Sequence, residues 1–145
     1  MDKQSRLSAL PYLMVEQSTN SSEFKVQFTL VNHGVGPAII EGRKIIYNGK
    51  EYDQDFHQFM TQSIPELKSI KPINWHNIYK GQAIPSNGRV VMFAIGGDEE
   101  KFNEFMNVLR TFKDSNTFEF EFDYRSVYGD KWRITNQNTV PVPIE

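Results

Sequence analysis

The chain has 145 residues, with 16 Lys and Arg, 18 Asp and Glu and a formal net charge of -2. This length fits one domain, and the near balance of charge provides no basic field for a nucleic-acid backbone, so no nucleic-acid partner is expected. The absence of cysteine excludes disulfides, thiolate nucleophiles, cysteine zinc sites and iron–sulfur clusters, and the sequence indicates no cofactor.

The first part of the chain predicts a polar connector followed by two strands. Residues 1–10 lack the apolar core of a secretory signal, and we interpret them as a connector. Residues 12–15 predict a short strand that ends in a polar, turn-forming cluster. In the next segment apolar residues alternate with polar ones, as in a strand with one buried face: Phe24, Val26, Phe28 and Leu30.

A loop of fixed shape and a hairpin follow. Residues 32–37 contain two glycines and a proline, which end the strand. Residues 38–47 are a second extended stretch. Asn48-Gly49 after this stretch is a strong hairpin signal, because both residues tolerate the positive φ of a type I′ turn. Residues 50–52 are therefore expected to pair back on the strand.

The middle of the chain predicts one short helix, two strands and one longer helix. Over residues 54–64 the apolar residues have helical spacing, and the following proline limits the helix. Residues 72–79 and 89–95 are interpreted as strands. A helix over residues 99–112 follows, with Asp98 as its N-cap and one apolar stripe: Phe102, Phe105, Met106, Leu109 and Phe112.

The last part of the chain returns to a strand pattern. Four aromatic residues alternate with charged ones: Phe118, Phe120, Phe122 and Tyr124. Gly129-Asp130 predicts a two-residue type II′ turn, after which Trp132 and Ile134 are expected to return antiparallel. Residues 139–145 contain two prolines and predict an extended C-terminal tail.

These elements together predict a mainly β fold. We expect an antiparallel, immunoglobulin-like β-sandwich of about seven strands over residues 11–138, with the amphipathic helix 99–112 and a short helix at 54–64. A small α+β sheet with both helices on one face is the alternative. The helix stripe and five further phenylalanines are expected to build the core: Phe24, Phe28, Phe118, Phe120 and Phe122.

Three potential metal ligands occur at alternate positions. On an extended backbone, Asp53, Asp55 and His57 would share one side and could reach one ion. On a helix, Asp53 and His57 share a face that excludes Asp55, and the acidic residues then suit a helix N-terminus. A metal-assisted hydrolase is therefore the third functional hypothesis, behind two that need no metal.

Aromatic side chains with a polar edge form a second candidate site. Trp75, Tyr79, Tyr128 and Trp132 could stack on a base or a sugar while an OH or NH group fixes the orientation. The strand alternation places Tyr124 with the core phenylalanines, and Trp132 beside a turn also fits a cross-strand pair. The sequence leaves ligand binding and core packing open for these residues.

Three segments resemble uncharacterised bacterial β-sandwich domains that follow an N-terminal membrane helix. They are residues 6–13 (Arg-Leu-Ser-Ala-Leu-Pro-Tyr-Leu), residues 32–38 (Asn-x-Gly-x-Gly-Pro-Ala) and residues 124–132 (Tyr-x-Ser-x-Tyr-Gly-x-x-Trp). The resemblance spans most of the chain and implies no catalytic residue. It implies that residues 1–10 connect the domain to a membrane anchor on their N-terminal side.

The leading functional hypothesis is a noncatalytic interaction or sensing module. With the resemblance, it describes the soluble domain of a membrane-anchored bacterial protein, on either side of the inner membrane, with a protein partner. Edge strands also allow a homodimer through sheet extension. The alternative hypothesis is a sensor that binds a nucleotide or a glycan in an aromatic cleft.

Overall fold

The computed structural model describes residues 10–138 and 140–145. Within these residues the chain forms ten strands, all paired antiparallel. In chain order they are β1 (Leu13–Asn20), β2 (Lys25–Asn32), β3 (Ala38–Tyr47), β4 (Lys50–Tyr52), β5 (Asn74–Trp75), β6 (Ala83–Ile84), β7 (Arg89–Ile95), β8 (Phe118–Arg125), β9 (Lys131–Thr135) and β10 (Val142–Ile144).

The strand order confirms the predicted antiparallel sandwich. The first sheet has the order β1-β2-β7-β5, and the second has the order β10-β9-β8-β3-β4, with β6 also paired to β3. Residues of both sheets enter one buried cluster, so the sheets are opposite walls of a single core. The ten strands are three more than the predicted seven, and four of the ten have only two or three residues. The order resembles the ABED and CFG sheets of immunoglobulin domains, and the immunoglobulin-like assignment remains a prediction.

The predicted short helix is present in an irregular form. The first helix, α1 (Phe56–Gln58), begins after Asp55, whose carboxylate accepts a hydrogen bond from the N–H of Gln58 at 2.7 Å. The chain continues as a π-helical turn (Phe59–Ser63) and a 3-10 turn (Pro65–Leu67). The proline interrupts the helix because it disfavours helical backbone in the residue before it.

The predicted amphipathic helix is confirmed as α2 (Glu99–Ser115). Its N-cap is Asp98, whose carboxylate accepts a hydrogen bond from the N–H of Lys101 at 3.0 Å. The helix extends beyond Phe112 and ends where Asn116 adopts a left-handed backbone with φ 54°. Neither helix in the described part of the chain has the length and hydropathy that a membrane span requires.

The two predicted hairpins have different outcomes. Asn48 and Gly49 have φ angles of 53° and 79° and join β3 to β4, as predicted. The two-residue turn predicted at Gly129-Asp130 is wrong, because the N–H of Ser126 donates to the carbonyl of Asp130 and closes a three-residue loop. Gly129 provides a positive φ of 91° at the third loop position instead of the first.

The strand predicted over residues 72–79 is confirmed only at β5. The chain leaves the first sheet after β5 and crosses to the second, where the N–H of Gly81 donates to the carbonyl of Ile40. The predicted tail is extended at β10, while Thr139 lies outside the described residues. The connector predicted for residues 1–10 also lies outside them, apart from Leu10.

The predicted aromatic core is largely confirmed. The buried phenylalanines include most of the predicted ones: Phe28, Phe102, Phe105, Phe112, Phe118 and Phe122. The rings of Phe112 and Phe118 stack with 4.7 Å between centroids, which fixes α2 on β8. Phe24 and Phe120 are only partly buried. Phe24 stands before β2 with a φ of 55°, so it is not part of the alternating strand.

A buried asparagine ties several chain segments together. Asn32, the last residue of β2, is fully buried. Its side-chain oxygen accepts hydrogen bonds from the N–H groups of Tyr12 and Gly34 at 3.0 and 2.9 Å. Its amide nitrogen donates to the carbonyls of Gly36 and Ile84, both at 2.9 Å. The side chain thus uses both acceptor positions and both donors, which fixes the loop after β2.

The hydrogen bond of a buried tyrosine also joins the two sheets. The hydroxyl of the buried Tyr124 in β8 accepts a hydrogen bond from the N–H of Leu13 in β1 at 3.3 Å. Burial raises the pKa of Tyr124 to about 12, because a phenolate would lose its hydration in the core. The bond also establishes that the N–H of Leu13 points away from β2.

Candidate functional site

The three potential metal ligands do not converge. Asp55 caps α1, and Asp53 is exposed with its carboxylate 4.0 Å from the guanidinium of Arg43. His57 lies inside α1 and stacks on Trp75. The backbone is therefore not extended across the three positions, as a shared site would require. Among the residues that the structure describes, no three acidic or histidine side chains are placed to hold a metal ion.

The four aromatic candidates lie on different parts of the fold. Trp75 is at the β5 edge of the first sheet, and Tyr79 is in the loop after it. Tyr128 is in the turn between β8 and β9, and Trp132 is in β9. Trp132 faces Tyr124 across the two strands and stacks on it with 5.6 Å between ring centroids. The cross-strand interpretation of Trp132 is therefore confirmed, and the four residues do not surround one cleft.

Trp75 has a packing partner of its own. Its ring stacks on that of His57 with 4.1 Å between centroids and 6° between planes. The Nδ1 atom of His57 is buried, without a hydrogen-bond partner in the described structure. This stack attaches the short strand β5 to α1, so one face of the indole is used for packing.

A cleft of about 850 Å³ opens between β1, α2 and the segment that follows β9. None of the candidate ligand residues from the sequence lines it. Its volume lies in the range of about 300 to 1,000 Å³ that is typical of ligand sites. The cleft is therefore the candidate functional site of this fold.

The walls of the cleft are mainly apolar. Met106 and Leu109 line it from α2, Val15 lines it from β1, and Phe120 lines it from β8. All four side chains pack on the core but are only partly buried, because they face the cleft. A ligand that covered them would gain the free energy of burying apolar surface, about 25 cal/mol per Å².

β1 contributes its free backbone edge to the cleft. In an antiparallel pair, alternate residues direct their backbone N–H and C=O groups to the same side. Val15 and Gln17 therefore direct theirs away from β2, as Leu13 does. Neither Val15 nor Gln17 has a backbone partner on that side among the described residues, and all three line the cleft.

The opposite wall, by contrast, is already hydrogen-bonded. After β9, the side chain of Asn136 accepts a hydrogen bond from the N–H of Phe120 and donates one to the carbonyl of Phe118. The Gln137 side chain donates to the side-chain oxygen of Asn116 at the end of α2. The Asn136 amide thus takes the place of a strand beside Phe118 and Phe120 of β8, whereas the edge of β1 keeps unused backbone groups at Val15 and Gln17 in the described structure.

The charge of the cleft is positive. Its charged lining residues in the described structure are Arg110 and Lys113, both exposed on α2. The guanidinium of Arg110 donates to the side-chain oxygen of Asn107 at 3.3 Å, and neither residue is in an ion pair with a described acid. The site can therefore attract an anionic group to its rim.

Two charged residues with shifted pKa values, Glu16 and Arg133, lie outside the cleft. A hydrogen bond from His33 is the main cause that lowers the pKa of Glu16, with Arg89 adding to it. A two-point bond to Asp123, at 2.7 and 3.0 Å, raises the pKa of Arg133. Both groups are in ion pairs on the surface of the sandwich, and of these only the pair of Arg133 and Asp123 joins neighbouring strands, so we assign both a structural role.

Sequence reasoning missed the cleft because its residues look like ordinary core. Met106 and Leu109 continue the apolar stripe of α2, and Phe120 continues the alternation of β8. Periodicity identifies the face of an element, but it does not show whether another element covers that face. The polar half of β1 is the one available signal, since Gln17 stands where an inward-facing apolar residue is expected.

Comparison of the chain with protein-family models, with curated proteins and with solved structures finds no match. The assignment of function therefore depends on the geometry and chemistry of the cleft.

Proposed function

We propose that this domain is a noncatalytic binding module that holds an elongated ligand in the cleft between β1 and α2. The ligand has an apolar body and an anionic group. The observation that carries the proposal is a cleft of about 850 Å³ with partly buried apolar walls and two cationic side chains. This combination is typical of ligand sites, in which apolar contacts supply affinity and a few polar groups fix orientation.

The composition of the cleft supports binding as its role. Its ionisable residues in the described structure are Arg110 and Lys113, so it offers positive charge but neither a carboxylate nor an imidazole for proton transfer at neutral pH. Met106 is among the partly buried side chains that line it. Methionine side chains adapt their shape, which suits the recognition of varied apolar groups.

The resemblance to bacterial domains that follow a membrane helix gives this proposal a setting. A binding module beside a membrane would serve as an interaction or sensing domain of an anchored protein. This setting and the bacterial source are part of the proposal, as is the protein partner.

Thermal unfolding with two anionic probes tests the proposal. The first probe is decanoate below its micelle concentration. The second is a pair of acetylated octapeptides with valine at alternate positions. One peptide has two aspartates at its N-terminal end, and the other has them at its C-terminal end. We expect at least one probe to raise the Tm with dose, because it binds only the folded state. Decyltrimethylammonium and peptides with lysine in place of aspartate should give smaller shifts.

Matched variants on α2 locate the binding. Leu109→Gln places a polar group in the cleft and should reduce the affinity of the anionic probe at least fivefold, equivalent to about 1 kcal/mol. Asn103→Gln, on the exposed side of the same helix, should leave the affinity unchanged. No Tm shift with any anionic probe, or equal shifts in both variants, would contradict the proposal.

A further inference from the structure

We infer that the ligand of this cleft is an extended, acidic peptide segment of a partner protein, which adds to β1 as a new edge strand of the first sheet. The inference rests on the proposed function and specifies its ligand. Four observations carry it: the unused backbone groups of β1, the satisfied groups of the opposite wall, the apolar side chains below the edge, and the charge of the rim.

The unused backbone groups lie where an added strand would need them. At the start of this edge, the N–H of Leu13 is already used, because it donates a hydrogen bond to the hydroxyl of Tyr124 at 3.3 Å. The next two residues that face the same way are Val15 and Gln17, which line the cleft without backbone partners among the described residues. Their two N–H and two C=O groups can form four hydrogen bonds with a strand about 4.8 Å away.

The opposite wall directs the peptide to β1. The backbone groups of Phe118 and Phe120 that face the cleft side of β8 are bonded to Asn136. β10 pairs with the far half of β9, from Lys131 to Arg133. Phe118 and Phe120 of β8 therefore offer an incoming strand no free ladder group on that side, whereas Val15 and Gln17 of β1 do among the described residues.

The side chains below the edge specify a pattern in the peptide. Successive side chains of an added strand point alternately into the cleft and out to solvent. The inward ones would contact Met106, Leu109 and Phe120, so apolar residues are expected at every second position. An acidic residue or a free carboxyl terminus would meet Arg110 or Lys113.

A second copy of β1 fits this pattern poorly. The inward-facing positions of β1 are Leu13, Val15, Gln17 and Thr19, of which half are polar. The charged residue of β1 is Glu16, which already pairs with His33 and Arg89. We therefore favour a partner peptide over sheet extension between two copies of this chain.

A proline substitution at the edge tests strand addition directly. Gln17→Pro removes an N–H that faces the cleft but leaves the β1–β2 hydrogen bonds intact, and an edge strand tolerates proline at such a position. Gln17→Ala is the matched control, because it removes the side chain and keeps the N–H. We expect Gln17→Pro to bind the acidic octapeptides at least tenfold more weakly than Gln17→Ala, at a similar Tm.

Hydrogen exchange supplies a second measurement on the unmodified chain. The amides of Val15 and Gln17 should exchange quickly in the free protein and become protected when the acidic octapeptide is bound. The amides of Met14 and Glu16, which are paired to β2, should be protected in both states. Equal binding by the two Gln17 variants, or unchanged exchange at Val15 and Gln17, would overturn strand addition.

The outcomes separate this inference from the proposed function. If decanoate binds and Leu109→Gln weakens it while the octapeptides do not bind, the cleft is a ligand site and strand addition is wrong. If no anionic probe binds, both proposals are wrong. A concentration-dependent dimer that Gln17→Pro abolishes, without peptide binding, would identify a second copy as the occupant and overturn the peptide.

Discussion

Replacing Asn32 with aspartate is expected to reduce the free energy of unfolding by about 3 to 5 kcal/mol, the range for an uncompensated buried charge. The carboxylate would place an oxygen where the amide nitrogen now donates to the carbonyls of Gly36 and Ile84. Three oxygens would then face one another in a site closed to water. Because 1 kcal/mol corresponds to about 3 °C for a chain near this length, thermal unfolding should show a Tm lower by roughly 9 to 15 °C.

The control for this prediction is an exposed asparagine. Asn103→Asp on α2 makes the same chemical change on the surface, where we expect an effect within about 0.5 kcal/mol. A loss of less than about 1 kcal/mol for Asn32→Asp would contradict the described hydrogen bonds of Asn32. It would also remove the argument that this residue fixes the loop after β2.

Replacing Tyr124 with phenylalanine is expected to change how stability depends on alkaline pH. The pKa of Tyr124 is raised to about 12 in the folded state, whereas an unfolded tyrosine ionises near pH 10. The native state therefore keeps its proton over this interval, and stability falls as the pH rises from about 10 to 12. Between pH 10 and 12 the free energy of unfolding of the wild type should fall by roughly 2 to 3 kcal/mol because of Tyr124. Tyr124→Phe should not show this part of the fall, because phenylalanine does not ionise.

The same variant should also be less stable at pH 7. It leaves the N–H of Leu13 without its 3.3 Å partner, at a cost of about 1 to 3 kcal/mol. Tyr128→Phe is the control, because Tyr128 is exposed, and it should retain the alkaline loss of the wild type. Urea unfolding at several pH values measures both effects, and identical pH profiles for Tyr124→Phe and the wild type would contradict the assignment.

Much of the fold could be predicted from local pattern. The alternation of β8, the stripe of α2 and the turn at Asn48-Gly49 each depend on residues close in sequence, and each is confirmed. The loop after β8 could not be predicted in the same way. Its length depends on the hydrogen bond between Ser126 and Asp130, and the glycine fits either type of turn.

The candidate site was harder to predict because it depends on how the elements meet. The aromatic residues Trp75 and Trp132 were plausible ligand contacts, but they belong to opposite sheets, and each has a packing partner. The cleft appears only when α2, β1 and the end of β9 are placed together. The role of Asn32 as a buried junction also depends on contacts with residues as far away as Ile84.

Mapping of the bound acidic octapeptide by two-dimensional NMR would test the central claim most directly. The account predicts shifted amide signals for Val15, Gln17 and Leu109, with the indole N–H signals of Trp75 and Trp132 unchanged. Shifts concentrated at the two indoles, with the amides of β1 and α2 unchanged, would contradict it and place the binding surface at the aromatic residues.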